Sequence, residues 1–315
     1  MAGSAAAPAI GNRLIGLGQR WLSIAMLGAI GMYGSEMLFW SAPPSPVLAG
    51  ELAQTWLAYA LVSAAALMAM AATGARGWLA VFLAGCIYGW LIEGVVVQTV
   101  YDVFPYTLVF TGMSWHALLT VLLVGLGVRS SVNWSLPRQL LFLLGLGLFF
   151  GLWAQYWPIE RPDLPQPMTV ALYLIGLGLC VPLANLLLDA QPSRLVFTRW
   201  EIISVGGLFS ALWVLQLLDA PDWRRLSVPL LVVVTLWLLR RRRNSRDIDL
   251  GTTPMSARWR HWLFLLVPVL TAMLASLGWS TLGGVETNWP IAIATSLLAL
   301  GLFGTACVTG VAAKR

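Results

Sequence analysis

Apolar runs of about twenty residues follow one another along almost the whole chain, as in LLFLLGLGLFFGLW over 140–153. A run of this length crosses a hydrocarbon core of about 30 Å as an α-helix rising about 1.5 Å per residue. Inside lipid the backbone must satisfy its own hydrogen bonds, so only helices and closed barrels span a membrane. Barrel strands alternate polar and apolar residues over about ten positions. These runs are continuous. The sequence therefore predicts an all-α fold, a polytopic integral membrane helical bundle. Composition agrees: 59% of the 315 residues are hydrophobic and 10% are charged, against roughly 25% charged in a soluble domain.

About ten transmembrane helices are expected, near 21–40, 52–72, 78–100, 114–128, 137–157, 168–188, 200–218, 226–239, 261–279 and 290–311. The fourth and eighth are short and should extend into their flanks. Pro43, Pro44 and Pro46 end the first helix. Pro137 and Pro290 sit at helix starts, where proline is tolerated. Arg13 and Arg20 before the first run imitate a secretory signal. The run from Leu22 to Trp40 is longer than a signal's apolar part and contains Glu36, so it is read as an uncleaved helix.

The loops test this segmentation, because cytoplasmic loops collect Lys and Arg. With the N-terminus inside, sixteen of the nineteen basic residues fall on the inner side, among them Arg20, Arg76, Arg129, Arg138, Arg194, Arg240 to Arg243, Arg246, Arg258, Arg260, Lys314 and Arg315. Only Arg161, Arg224 and Arg225 fall outside. One helix more or fewer would scramble that sorting, so both termini are expected in the cytoplasm. The whole of 1–315 reads as one transmembrane domain, with a cytoplasmic segment at 1–20, an aromatic outer loop at 101–113 and a basic cytoplasmic loop at 240–260. The outer loop is expected to lie on the interface or fold back as a lid. The sequence pI of about 9.7 is explained by topology, and no nucleic-acid partner is expected. The 240–260 loop is expected to meet anionic lipid headgroups. The expected location is the plasma (inner) membrane.

Two carboxylates sit where lipid would be costly. Gly85, Gly89 and Glu93 are four residues apart and share a helix face. The glycines admit a neighbouring backbone, so Glu93 points into the bundle, about 10 Å below the outer end of its helix. Gly28, Met32, Glu36 and Trp40 form a similar stripe in the first helix, with Glu36 about 6 Å deep. His116 opens the fourth helix on the same side, and Tyr101 and Asp102 lie in the adjoining loop. These five residues are the candidate ligand or proton site. A carboxyl in a low dielectric, near a second carboxyl and an imidazole, can exchange protons near neutral pH. That suits acid–base catalysis or proton-coupled transport.

Other polar residues read as structural. Glu201 is expected to pair with Arg199, Asn185 to join helices, and His261 to be solvated at the inner boundary. Tryptophans near predicted ends, including Trp40, Trp78, Trp153, Trp157, Trp223 and Trp289, suggest an interfacial belt. Cys86, Cys180 and Cys307 lie in apolar runs without metal-ligand spacing, and no metal or cofactor is expected. There is no Walker A loop, HExxH or GxSxG. Ten helices with both ends inside is an architecture shared with many drug and metabolite transporters, an analogy that does not fix function. Three readings follow: a permease or flippase for a small or lipidic molecule, an intramembrane enzyme acting on a lipid or isoprenoid at the outer leaflet, or a non-catalytic subunit or assembly factor of a larger membrane complex.

Overall fold

A computed structural model describes residues 10–44, 48–161, 163–242 and 248–312. Arg243, Arg246, Lys314 and Arg315, counted above to the inner side, lie outside the described residues, as does Pro46. Among the described residues nine helices are long and apolar enough to cross a membrane. They are α1 (Gly16–Trp40), α2 (Ala49–Thr73), α3 (Trp78–Val96), α4 (Tyr106–Ser131), α5 (Leu136–Glu160), α6 (Pro167–Leu188), α7 (Arg199–Asp219), α9 (Met255–Leu282) and α10 (Asn288–Thr309). The tenth, α8 (Ser227–Arg241), has 15 residues and continues a 3₁₀ turn over Trp223–Leu226. The chain is thus an all-α polytopic bundle. α4 begins eight residues before the expected start, because the outer loop is already helical from Tyr106.

α3 is the central element, with 78% of its most apolar window buried, whereas α7 is peripheral at 11%. In lipid, helices gain little from hiding apolar surface and associate where small residues let backbones approach. The glycine stripe of α3 does this against α4. A methyl group on Gly85 would lie 2.9 Å from the Cα of Ala117, and one on Gly89 would strike the carbonyl of Gly112. α1 meets α2 in the same way: a methyl group on Gly28 would lie 2.6 Å from the Cα of Ala60. Gly89→Ala is therefore expected to destabilise the folded protein by about 1–3 kcal/mol, as overpacking does. Gly176, on the open face of α6 with nothing within 4 Å, is the control. Gly176→Ala should be neutral or slightly stabilising, since alanine favours helix. Equal melting of the two variants in detergent would refute the close approach.

One end of the bundle carries most of the arginines and is called here the arginine face. Two short strands pair there, β1 (Arg194–Leu195) with β2 (Ile248–Asp249), antiparallel. Several arginines of the 240–260 loop bind protein: Arg242 donates to Ala306 O, Arg258 to Asp189 O and Arg260 to Gln139 Oε1 and Trp134 O. At the opposite end Trp153 and Trp157 are buried, not belted around the rim. Both donate to Phe39 O, at 2.8 and 3.3 Å. Trp78, Trp223 and Trp289 are exposed as a belt requires.

Candidate functional site

Glu36, Glu93 and His116 all hang from helix turns that contain one residue more than an α-turn. Leu38 donates to Tyr33 O, Val97 to Ile92 O and Val128 to Leu123 O, each a bond across five residues. The π-wound stretches are Tyr33–Met37, Ile92–Val96 and Phe110–Gly127. Such turns are rare and are frequent at functional sites, where they re-aim side chains.

The re-aimed side chains meet. His116 Nε2 lies 2.7 Å from Glu93 Oε1, and the two side chains are 3% and 14% exposed. On the other side of the ring, Nδ1 lies 3.0 Å from Ser35 Oγ, which lies 3.1 Å from Thr120 Oγ1. Thr99 donates to the second oxygen of Glu93. Glu36 is held by the Tyr59 hydroxyl and by Trp40 Nε1 at 3.1 Å. Tyr59 stands within electrostatic reach of both glutamates. The rings of Tyr59, Tyr88 and His116 form a triangle with centroids 5.8 to 6.2 Å apart.

The chain Glu93–His116–Ser35–Thr120 has two self-consistent proton settings. In one, Nε2–H donates to the Glu93 carboxylate, Ser35 donates to Nδ1 and Thr120 donates to Ser35. One added proton reverses the hydroxyls: Nδ1–H donates to Ser35, Ser35 donates to Thr120, and the hydrogen of Thr120 is freed. Loading the acid–base pair thus changes what Thr120 offers its surroundings.

Thr120 borders a central cavity of about 170 Å³. Its walls are apolar, with Ala66, Met70, Val81 and Ala84 among them, and Tyr88 and Ser63 join Thr120 on its polar side. The Tyr88 side chain is 2% exposed. Its hydroxyl completes no hydrogen bond among the described residues, although Ser35 is its polar neighbour. A second, larger cavity of about 330 Å³ opens at Glu36, with Glu51, Trp40, Arg161 and Tyr173 on its walls.

The remaining two candidates stand apart. Tyr101 donates to Gly94 O at 3.1 Å, and Arg225 lies over its ring at 5.2 Å. It braces the end of α3 without touching a carboxylate. Asp102 is exposed. Ser35, Tyr59, Tyr88 and Thr120 escaped the sequence reading. Each is an ordinary polar residue in an apolar run, and an α-helical stripe does not align Tyr88 with Glu93.

A second buried network closes the arginine-face end of the central cavity, where Arg129 and Leu250 line it. Arg129 donates to Leu250 O, Gly251 O, both the O and Oδ1 of Asn185, and Asp189 Oδ1 at 2.8 Å. All five of its N–H groups are engaged. The Asp189 side chain is 0% exposed and also meets His261 Nε2 at 2.9 Å. His261 is therefore buried, at 1% exposure, and not solvated as expected. The 3₁₀ stretch Met255–Leu265 carries it inward onto Asp189. Glu201 likewise pairs with Arg20, at 3.1 Å, instead of Arg199. It also completes a capping box with Thr198. Burial pushes the Asp189 carboxyl up, but the bond from His261 and the charge of Arg129 outweigh it and hold the group below its ordinary value.

These features define a multi-pass helical membrane protein. Comparison with protein-family models, curated proteins and solved structures finds no match. Among the described residues no group of three His, Cys, Asp or Glu side chains is placed to hold a metal ion.

Proposed function

We propose that this protein is an intramembrane acid–base enzyme acting on an apolar, lipid-phase substrate such as a lipid or isoprenoid. One observation carries the reading: the Glu93–His116 pair is wired through Ser35 to Thr120 on the wall of an apolar cavity. A buried pair that exchanges a proton through a positioned hydroxyl suits general acid–base catalysis. The reaction class is proton transfer: one proton is delivered to a substrate atom and another is removed nearby, as in isomerisation, or water is added or lost. No oxidant is required. With the N-terminus inside, as the arginine sorting supports, the pair lies in the outer half of the plasma membrane.

A test needs no named substrate. The purified protein is incubated with a total lipid extract in D₂O, and apolar lipids are weighed by mass spectrometry. A lipid species gaining deuterium with the wild type, but not with Glu93→Gln, is the expected outcome. No protein-dependent gain would refute the reading.

Transport is the second reading, favoured by the cavity at Glu36 on the face opposite Arg129. Its difficulty is the largely apolar wall and the engagement of Arg129 by protein acceptors at the arginine-face end. Vesicles carrying a fluorescent phospholipid, bleached from outside by dithionite, are expected to retain their inner-leaflet signal when this protein is present. Loss of that signal would reverse the ranking.

A further inference from the structure

The cavity at Glu36 holds charges of both signs that the protein leaves unmatched. Its walls carry Glu36, Glu51 and Arg161. Among the described residues none of the three forms an ion pair, with each other or with anything else. Elsewhere Glu93, Asp189 and Glu201 meet His116, Arg129 and Arg20. Only neutral donors, Tyr59 and Trp40, hold the Glu36 carboxylate. The two acids and the base thus face one space from separate points. Glu36 and Arg161 are half-buried, and a charge partly withdrawn from water gains from a partner of opposite sign. An anion alone would answer Arg161 and press against the acids. A cation alone would do the reverse. A ligand with both charges answers all three. Position points to the membrane surface. Glu51 lies in the first turn of α2, Arg161 directly follows α5, and Glu36 is four residues from the end of α1. Leu48 and Trp40 on the same wall are exposed and offer an apolar rim.

We propose that this cavity binds the headgroup of a zwitterionic phospholipid bearing a primary ammonium. Arg161 takes the phosphate, as a guanidinium does well, and the ammonium lies between Glu36 and Glu51. A primary ammonium brings three N–H donors for the two carboxylates. A quaternary ammonium brings none and depends on open aromatic faces, whereas the Trp40 ring is stacked on Trp157 at 5.1 Å. The tails leave over the rim at Leu48. The site stands apart from the enzyme reading, since it needs neither the proton relay nor turnover.

Native mass spectrometry of the delipidated full chain in detergent tests this, with dioleoyl phospholipids that differ only in the headgroup. The wild type is expected to bind phosphatidylethanolamine about tenfold more tightly than phosphatidylglycerol, the worth of one charged hydrogen bond, and more tightly than phosphatidylcholine. Arg161→Gln should weaken phosphatidylethanolamine about tenfold. Glu36→Gln with Glu51→Gln should erase its advantage over phosphatidylglycerol. Gln at 36 can still accept from Tyr59 and Trp40. Glu51 and Arg161 make no side-chain hydrogen bond among the described residues, so Glu51→Gln and Arg161→Gln report on the site even if Glu36→Gln fails to fold. Equal affinity for the three lipids would overturn the proposal. So would an advantage that survives loss of both acids, or unchanged binding in Arg161→Gln. Glycerophosphoethanolamine, the same headgroup without tails, is expected to compete poorly. If it binds as tightly as the lipid, the site belongs to a soluble zwitterion and the lipid assignment falls.

Discussion

Glu93→Gln is expected to abolish protein-dependent deuterium transfer into lipid while the protein stays folded. Gln preserves the shape of the side chain and can still accept from Thr99, so α3 keeps its packing on α4. What disappears is the acid: an amide neither gives nor takes a proton near neutral pH. A positioned acid–base group typically contributes about 10²–10⁴-fold to rate, and the loss should reach about a hundredfold at least. His116→Ala should lose a similar amount, because the imidazole joins Glu93 to Ser35. Ser35→Ala and Thr120→Val should lose less where a water molecule can bridge the gap. In cells the same order should appear as accumulation of one apolar precursor in lipid extracts. An unchanged lipid profile in both Glu93→Gln and His116→Ala would sink the assignment of the pair.

Asp189→Asn should have the largest effect on stability. The carboxylate faces Arg129 and His261 with no exposure, and Arg258 Nε lies 4.0 Å away. Removing one partner of a buried ion pair leaves the other charge uncompensated, at a cost of about 3–5 kcal/mol. Thermal denaturation in detergent should show this as a marked fall in midpoint. A midpoint within error of wild type would mean the network holds nothing together. The acid limb gives an independent check. The folded-state value of Asp189 lies below its ordinary 3.8. The stability it supplies is therefore complete above pH 3.8 and is lost as pH falls through the lower folded value. Asp189→Asn should remove that acid-induced loss along with the stability itself.

Nine of the ten expected spans were legible in the sequence because each is written locally, as an uninterrupted apolar run. α8 was legible for the same reason even though it is short. The glycine stripe of α3 also read correctly, since a methyl group at Gly85 or Gly89 collides with α4. Depth along the helix put Glu93 and His116 at one level, but contact between them depends on how α3 and α4 are wound, which a stripe drawn at α-helical spacing does not show. Tyr88 illustrates this: it lies five residues before Glu93, off the stripe, and still closes the ring triangle. The network around Asp189 was invisible for a different reason. Arg129 and His261 stand 60 and 72 positions away from it. Nothing local marks Asp189 as anything but a loop acid or His261 as anything but a boundary residue. The acceptors of Arg242, Arg258 and Arg260 were invisible in the same way, since they are oxygens far along the chain, among them Ala306 O, Asp189 O and Gln139 Oε1.

The over-full turns of α1, α3 and α4 have a consequence for how this molecule tolerates change. Each residue added to or removed from a helix rotates everything beyond it by about 100°. Glu93 and His116 face each other because α3 and α4 each accommodate surplus residues beside them. Removing a single residue from 110–115, leaving every candidate side chain in place, would swing the imidazole away from its carboxylate. The arrangement is kept by counting as much as by chemistry. Shortening or lengthening these helices should therefore be less forgiving than substituting within them.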